Sequence, residues 1–181
     1  MELLKGNLYF ITDEFFERVG DPYLKINYET SMRPHYFAVR DKKTALYWMV
    51  PCSTRIEKFE RILAKKRAQN KPTDTIKIVR IQGHPTALLF QDMFPISLKY
   101  IEKRYFRGGD PVFIDSERLV KELERNAYRV IGLIRRGIKF TPTQPDALRI
   151  EKLMLAELEE LPQGAATRAQ VAAILQRFLS E

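Results

Sequence analysis

Short apolar segments separated by turn residues dominate the first half of the chain, and this pattern is typical of antiparallel strands. Five segments have it, at residues 7–12, 35–39, 45–50, 75–81 and 86–90. A turn at 41–44 separates the second segment from the third. Those two segments are therefore predicted to form a β-hairpin that ends at Pro51.

Apolar residues that recur at spacings of three and four predict helices between and after these strands. One short helix is expected at 14–19, and longer helices are expected at about 55–69, 115–136, 148–161 and 168–179. The predicted fold class is α+β, a compact and strongly bent antiparallel β-sheet surrounded by helices, with a C-terminal helical pair.

The distribution of charge indicates where the chain divides. Its 181 residues include 31 lysines and arginines against 23 acidic residues, a net charge of +8. From Glu151 onward the balance reverses, with three bases and five acids, and the loop at 141–145 precedes this change. We therefore expect a core at residues 1–145 and a helical extension at 146–181 that packs on the core or on a partner.

Composition excludes several classes of protein. With 45% hydrophobic and 30% charged residues the chain is predicted to fold, and no apolar run reaches the ~18 residues of a membrane span, so no membrane partner is expected. The single cysteine, Cys52, and two histidines, His35 and His84, exclude a disulfide and a histidine-rich metal centre. Nucleotide-binding and zinc-protease motifs are absent from the sequence. We predict a cytoplasmic protein with no metal and no other cofactor.

The excess of positive charge favours a polyanionic partner. Between Arg55 and Arg80, nine basic residues stand against three acidic ones, and a second basic cluster lies within 99–107. On the helix at 55–69 these bases lie opposite the apolar stripe, so they are either a solvated face or a surface that follows RNA phosphates. The residues expected to contact RNA there are Lys58, Lys65, Lys66, Arg67 and Lys71.

Cleavage of RNA needs no metal ion, because the 2′-hydroxyl of RNA can attack the adjacent phosphorus. The protein then supplies a base, positive charge for the transition state and a proton for the leaving oxygen. Suitable groups lie at both ends of the predicted hairpin. They are Arg33, His35 and Tyr36 at its start, and Ser53, Thr54, Arg55 and Lys58 at its end.

The end of the hairpin is a candidate anion site, because a strand that runs into a helix leaves backbone N–H groups unpaired. Ser53 and Thr54 add hydroxyls and Arg55 a planar guanidinium, although either hydroxyl residue could serve only as a helix N-cap. Pairing within the hairpin is expected to bring His35 near Ser53, where a group of pKa near 6.5 could transfer a proton. The alternative for His35 is a packed or an exposed side chain without a catalytic role, and either Tyr36 or Tyr47 could stack on a base.

Longer stretches of the sequence resemble a known family. Residues 37–59 (FAVRDKKTALYWMVPCSTRIEKF), 75–79 (TIKIV) and 88–96 (LLFQDMFPI) resemble the type III toxin–antitoxin toxins, the ToxN/AbiQ-like endoribonucleases, and most of all their CptN-like branch. The strand at 8–11 is also similar, so the resemblance covers about residues 7–140.

The resemblance implies a metal-independent endoribonuclease that acts on cellular or phage RNA and leaves 2′,3′-cyclic phosphate and 5′-hydroxyl ends. It also implies an RNA antitoxin of tandem repeats, which the toxin processes and with which it assembles into an RNA-bridged oligomer. The family's site loop matches at Ser53 and Arg55, whereas Cys52 replaces a hydroxyl residue. His35 follows Pro34 where the family has a lysine, so Arg33 or Lys58 could supply the positive charge instead.

The hypothesis from the sequence is therefore an endoribonuclease toxin. His35 would assist proton transfer, Ser53 would hold the phosphate and Arg55 would stabilise the transition state. Two alternatives stay open: a non-catalytic basic RNA-binding module, and an adaptor whose acidic terminal helices contact a partner.

Overall fold

The structure is a computed structural model that describes residues 2–28 and 31–160. Seven strands in this part of the chain form one antiparallel sheet. They are β1 (Leu8–Ile11), β2 (His35–Arg40), β3 (Tyr47–Ser53), β4 (Ile76–Ile81), β5 (His84–Leu89), β6 (Phe94–Ile96) and β7 (Ile101–Arg104). Their order is β4-β5-β3-β2-β1-β7, and β6 also pairs with β3. A two-stranded ribbon, β8 (Phe106–Arg107) and β9 (Asp110–Pro111), follows β7.

The sheet bends along β3, because that strand changes partner on one edge. Residues 47–49 pair with β6, whereas Cys52 and Ser53 pair with β5. Pro51 lies between these two paired stretches and has no partner residue on that edge. The N–H group that proline lacks is therefore not needed for pairing there. The prediction that Pro51 ends the strand is therefore wrong, since β3 continues to Ser53.

Four helices surround the sheet in the described part of the chain. They are α1 (Asp13–Val19), α2 (Ile56–Ala68), α3 (Glu117–Arg135) and α4 (Ala147–Glu160). The helices α1, α2 and α3 begin and end within two residues of their predicted bounds, and α4 begins within one residue of its predicted start. The α+β fold class is confirmed. The other member of the predicted C-terminal pair, at 168–179, lies outside the described residues.

Alternation of side chains along β3 divides the core into two layers. Trp48 and Val50 pack towards α3, whereas Met49 packs with α1 and α4 on the opposite face. A third, smaller apolar cluster lies between α2 and the hairpin formed by β4 and β5. Because all three layers are filled, both the bend of the sheet and the start of α2 are fixed by packing.

The helix α4 packs on the core. Its side chains Ile150 and Met154 are fully buried beside β6. The buried carboxylate of Glu157 accepts hydrogen bonds from Arg18 Nε at 2.7 Å and from the Tyr100 hydroxyl at 2.9 Å. This first part of the predicted extension is thus tied to the sheet by apolar and ionic contacts.

No helix within the described ranges is long and apolar enough to cross a lipid bilayer.

Candidate active site

A cleft of about 190 Å³ lies where β3 ends. Its walls come from four places: the segment before β2, the last residues of β3, the β4–β5 hairpin and the β8–β9 ribbon. Its floor includes the buried side chains of Leu8 and Cys52. The polar side chains that line it include Arg33, Ser53, Thr54, Thr86, Tyr105 and Arg107.

The Arg33 guanidinium is held in the cleft by two backbone carbonyls. Its Nη1 donates to the carbonyl of Cys52 at 3.2 Å, and its Nε donates to that of Ile26 at 3.2 Å. The Arg33 backbone N–H donates to Asn27 Oδ1 at 2.9 Å. Because a guanidinium carries further N–H groups, Arg33 can bind a phosphate without giving up these contacts.

Ser53 is the last residue of β3 and pairs with Ala87 of β5. Its Oγ accepts a hydrogen bond from the Arg55 backbone N–H at 3.3 Å. No side chain in the described part of the chain caps the start of α2, so the alternative that Ser53 or Thr54 serves as an N-cap is wrong. The Ile56 N–H donates to the Thr54 carbonyl at 2.9 Å. The N–H groups of Glu57 and Lys58 that follow, together with the helix dipole, favour a bound anion near the start of α2.

Arg55 and Lys58 lie beside the cleft in the chain but do not line it. Both side chains are exposed, Arg55 immediately before α2 and Lys58 in its first turn. The Lys58 ammonium lies 5.8 Å from the centre of the Phe59 ring. From these positions both cations can reach RNA outside the protein surface, whereas Arg33 is the predicted cation that reaches the cleft itself.

His35 is not part of the cleft. Its side chain is 0% exposed and lies between the rings of Phe16 and Phe94, with centroids 6.1 and 5.6 Å away. The register pairs His35 with Pro51, two residues short of Ser53. The prediction that His35 assists proton transfer is not supported by this position, because an RNA 2′-hydroxyl in the cleft has no access to the ring.

The surroundings of His35 keep its ring neutral. Burial, and then the charge of Arg33, lowers the pKa of His35 to about 3, and the carbonyls of Arg33 and Lys25 offset this only in part. Neither ring nitrogen makes a hydrogen bond of normal geometry with the described residues. Such an uncompensated polar side chain costs folding free energy.

Tyr36 and Cys52 are also buried. Tyr36 is 0% exposed in the layer beneath α3, and burial raises the pKa of its hydroxyl, so the predicted stacking on a base has no room. Burial likewise raises the pKa of the Cys52 thiol to about 12. That thiol is therefore an inert core group at neutral pH.

The predicted RNA-binding residues at the end of α2 form a separate region. Lys65, Arg67 and Lys71 are exposed, but Lys66 is half-buried and donates to Thr75 Oγ1 at 3.0 Å. Burial lowers the pKa of Lys66. A second cleft of about 640 Å³ lies here between α2 and β4 and shares no lining residue with the first.

Four residues with polar or aromatic side chains line the cleft but were not among the predicted site residues: Tyr28, Thr86, Tyr105 and Arg107. Arg107 belongs to the basic cluster at 99–107, which was a usable signal. The other three lie in segments without a motif, and only the folded chain brings them beside Ser53. No group of three or more histidine, cysteine, aspartate or glutamate side chains within 2–28 and 31–160 lies close enough together to hold a metal ion.

Comparisons with known proteins identify the fold. No protein-family model and no curated protein matches this sequence. Among solved structures, the chain matches AbiQ, a lactococcal anti-phage endoribonuclease belonging to the type III toxin–antitoxin system. The match has a TM-score of 0.64 and covers 85% of this chain and 98% of the AbiQ chain. The chain has the AbiQ fold. Because the two sequences are 13% identical, the likeness concerns the fold and does not identify the CptN-like branch.

Proposed function

We propose that this protein is an endoribonuclease toxin of a type III toxin–antitoxin system. The cleft at the end of β3 carries this proposal, because it combines an anchored guanidinium and two hydroxyls, just before the start of α2 in the sequence, in a chain with the AbiQ fold. Each of these groups binds a phosphate diester well. Arg33, Ser53 and Thr54 are its central residues.

In the proposed reaction the 2′-oxygen of RNA forms a bond to phosphorus and gives its proton to water, while the bond to the 5′-oxygen breaks and that oxygen takes a proton from water. Ser53, Thr54 and the first N–H groups of α2 hold the non-bridging oxygens. The Arg33 guanidinium, with Arg55 at the rim, stabilises the negative charge that grows on them. The products are a 2′,3′-cyclic phosphate and a 5′-hydroxyl, and no metal ion takes part.

The exposed cations along α2 serve to bind the RNA strand that leaves the cleft. Lys58 lies in the first turn of the helix, and Lys65 and Arg67 lie in its last turn. Lys71 follows the helix and is also exposed. These side chains contact backbone phosphates, a kind of contact that does not depend on base sequence and weakens as salt rises.

The proposed inhibitor is an RNA antitoxin of tandem repeats, which the protein cuts into units and with which it forms an RNA-bridged oligomer. The type III system to which AbiQ belongs supports this part of the proposal. A short tandem-repeat array directly upstream of the coding region would support it further. Co-expression of that array should relieve growth inhibition by the protein.

The test is incubation of the protein with RNA in excess EDTA, followed by analysis of the ends. We expect 2′,3′-cyclic phosphate and 5′-hydroxyl ends, and a loss of about 10²-fold in rate for Ser53→Ala. Ser116→Ala is the matched control, because Ser116 Oγ also accepts a backbone N–H at 3.3 Å near a helix start but lies outside the cleft.

Two results would contradict the proposal. RNA that stays intact, or ends that carry a 3′-hydroxyl, would exclude the reaction. Equal activity of Ser53→Ala and wild-type protein would exclude the site. Growth inhibition that survives Ser53→Ala but is lost on charge reversal at Lys65 would instead favour the non-catalytic RNA-binding module.

A further inference from the structure

Two tyrosines line the cleft, and an arginine covers each of them. The Arg33 Cζ lies 4.7 Å from the centre of the Tyr28 ring. The Arg107 Cζ lies 5.7 Å from the centre of the Tyr105 ring. Neither ring has a role in the cleavage reaction proposed above.

Tyr28 is a large aromatic side chain that is 53% exposed although its backbone is fixed. Its N–H donates to the carbonyl of Ser31 at 2.8 Å. The neighbouring Asn27 side chain donates to the carbonyl of Ile11 at 2.9 Å and to Asp13 Oδ1 at 2.8 Å. Arg33 lies over one face of the Tyr28 ring, so a planar ligand can stack on the other.

Tyr105 enters the cleft from a different part of the chain. Its N–H donates to the carbonyl of Leu8 at 2.8 Å, and its ring meets the Phe10 ring edge-on at 5.1 Å. The ribbon that follows turns tightly at Gly108 and Gly109, both with positive φ, and this turn leads β8 back into β9 beside the cleft. Two aromatic rings from separate segments therefore share one cleft with Ser53.

We propose that Tyr28 and Tyr105 each stack on an unpaired nucleobase of RNA next to the phosphate that Ser53 holds. This inference rests on the proposed function and adds the residues that bind the bases. Neutral planar rings beside guanidinium groups suit nucleobases, because a base stacks on an aromatic ring while the linked phosphate binds the cation. A base within a duplex is stacked on its neighbours and is not available for this contact.

The test measures binding to RNA that cannot be cut. The probes are fluorescein-labelled 2′-O-methyl hexamers of adenosine and of uridine, and an abasic hexamer with the same backbone charge. Fluorescence anisotropy with the full chain gives the affinity for each probe. Because stacking contributes about 1–3 kcal/mol per base, wild-type protein should bind at least one base-bearing probe about 10-fold more tightly than the abasic one.

Tyr28→Ala should reduce that ratio about 5-fold or more and leave abasic binding unchanged, whereas Tyr28→Phe should retain the ratio. Tyr23→Ala is the matched control, because Tyr23 lies in the same segment, is 43% exposed and does not line the cleft. Tyr105→Ala should act like Tyr28→Ala and Tyr105→Phe like wild type. Thermal melts check that the Tyr105 variants fold, since that ring packs on Phe10.

The outcomes separate the two proposals. If wild-type protein binds none of the probes, RNA binding in the cleft is excluded and both proposals are overturned. If it binds abasic and base-bearing probes equally, or if Tyr28→Ala and Tyr105→Ala keep the wild-type ratio, only the stacking role is overturned.

Discussion

The cleft around Arg33 and the interior around His35 lie two residues apart in sequence, yet they are opposite environments. Arg33 is partly exposed, and two backbone carbonyls hold its guanidinium against the end of β3. His35 is fully buried between two phenylalanine rings, with no hydrogen bond of normal geometry at either nitrogen. Arg33 lines a cleft that is open to solvent, whereas His35 is a polar residue in the core.

The difference shows that the register of the hairpin, and not the type of residue, determines which side chains line the cleft. His35 pairs with Pro51, so the start of β2 lies beneath the cleft rather than beside Ser53. The residues before β2 reach the end of β3 instead, as the bond from Arg33 to the Cys52 carbonyl shows. A histidine is the usual candidate for acid–base work, but here access decides between the two residues.

The largest effect is expected when the Arg33 guanidinium is removed from the cleft. Arg33→Ala should lower kcat/KM for RNA cleavage by about 10²–10³-fold, because the transition state loses a fixed cation. Arg33→Lys should fall between wild type and Arg33→Ala, since a lysine keeps the charge but not the planar set of donors. Steady-state cleavage of a fluorogenic RNA measures both variants.

Arg40→Ala provides the matched control. The Arg40 guanidinium also lies over a tyrosine, 5.6 Å from the centre of the Tyr47 ring, but at the far end of β2 and outside the cleft. It should cleave RNA like wild-type protein. A loss of activity in Arg40→Ala as large as that in Arg33→Ala would mean that positive charge in general, and not the cleft, sets the rate.

Much of the fold could be predicted because its strands and helices have clear periodicity. The stripe of α3 and the alternation in β4 placed both elements within two residues of their bounds. The strand β7 was missed, since Ile101 is its only buried residue and Glu102 and Lys103 are exposed beside it at the sheet edge. The short pairs of residues in β8 and β9 carry no periodic signal either.

The site was predicted where local sequence determines it and missed where tertiary structure does. A strand followed by Ser53, Thr54 and a helix is visible in the sequence, and the structure places both hydroxyl residues in the cleft. Tyr105 reaches the same place only because its backbone pairs with Leu8, far away in the chain. Burial of His35 and Tyr36 depends likewise on what packs over each face of β2, which the sequence of β2 alone does not reveal.

A second prediction concerns the replacement of His35 by an apolar residue. His35→Leu should cleave RNA like wild-type protein and should be as stable or more stable by about 1–3 kcal/mol, because it removes two buried ring nitrogens that make no hydrogen bond of normal geometry with the described residues. His35→Ala should be less stable than His35→Leu, since it leaves a cavity. Denaturant unfolding at pH 7.5 gives both free energies. A folded His35→Leu protein without activity would restore the catalytic role.

The stability of the wild-type protein should also depend on pH through His35. The unfolded chain binds a proton with a pKa near 6.5, whereas in the folded protein the pKa is about 3, so acid favours unfolding between these values. Stability relative to His35→Leu should be constant above pH 6.5 and fall by about 1.4 kcal/mol per pH unit below it. Parallel curves for the two proteins from pH 7.5 to 4.5 would contradict this prediction.

The smallest expected effect concerns the lysine and arginine side chains at the end of α2. It tests whether solvent exposure determines which of them contact RNA. Lys65 and Arg67 are exposed, so replacing either with glutamine should weaken RNA binding a few-fold and lower the slope of log K against log salt by about 0.7. Lys66 donates to Thr75 within the protein, so Lys66→Gln should leave the slope unchanged. Titrations at several salt concentrations measure these slopes. Equal slopes for Lys65→Gln and Lys66→Gln would mean that RNA binding at this helix depends on total charge, not on which ammonium groups reach the solvent.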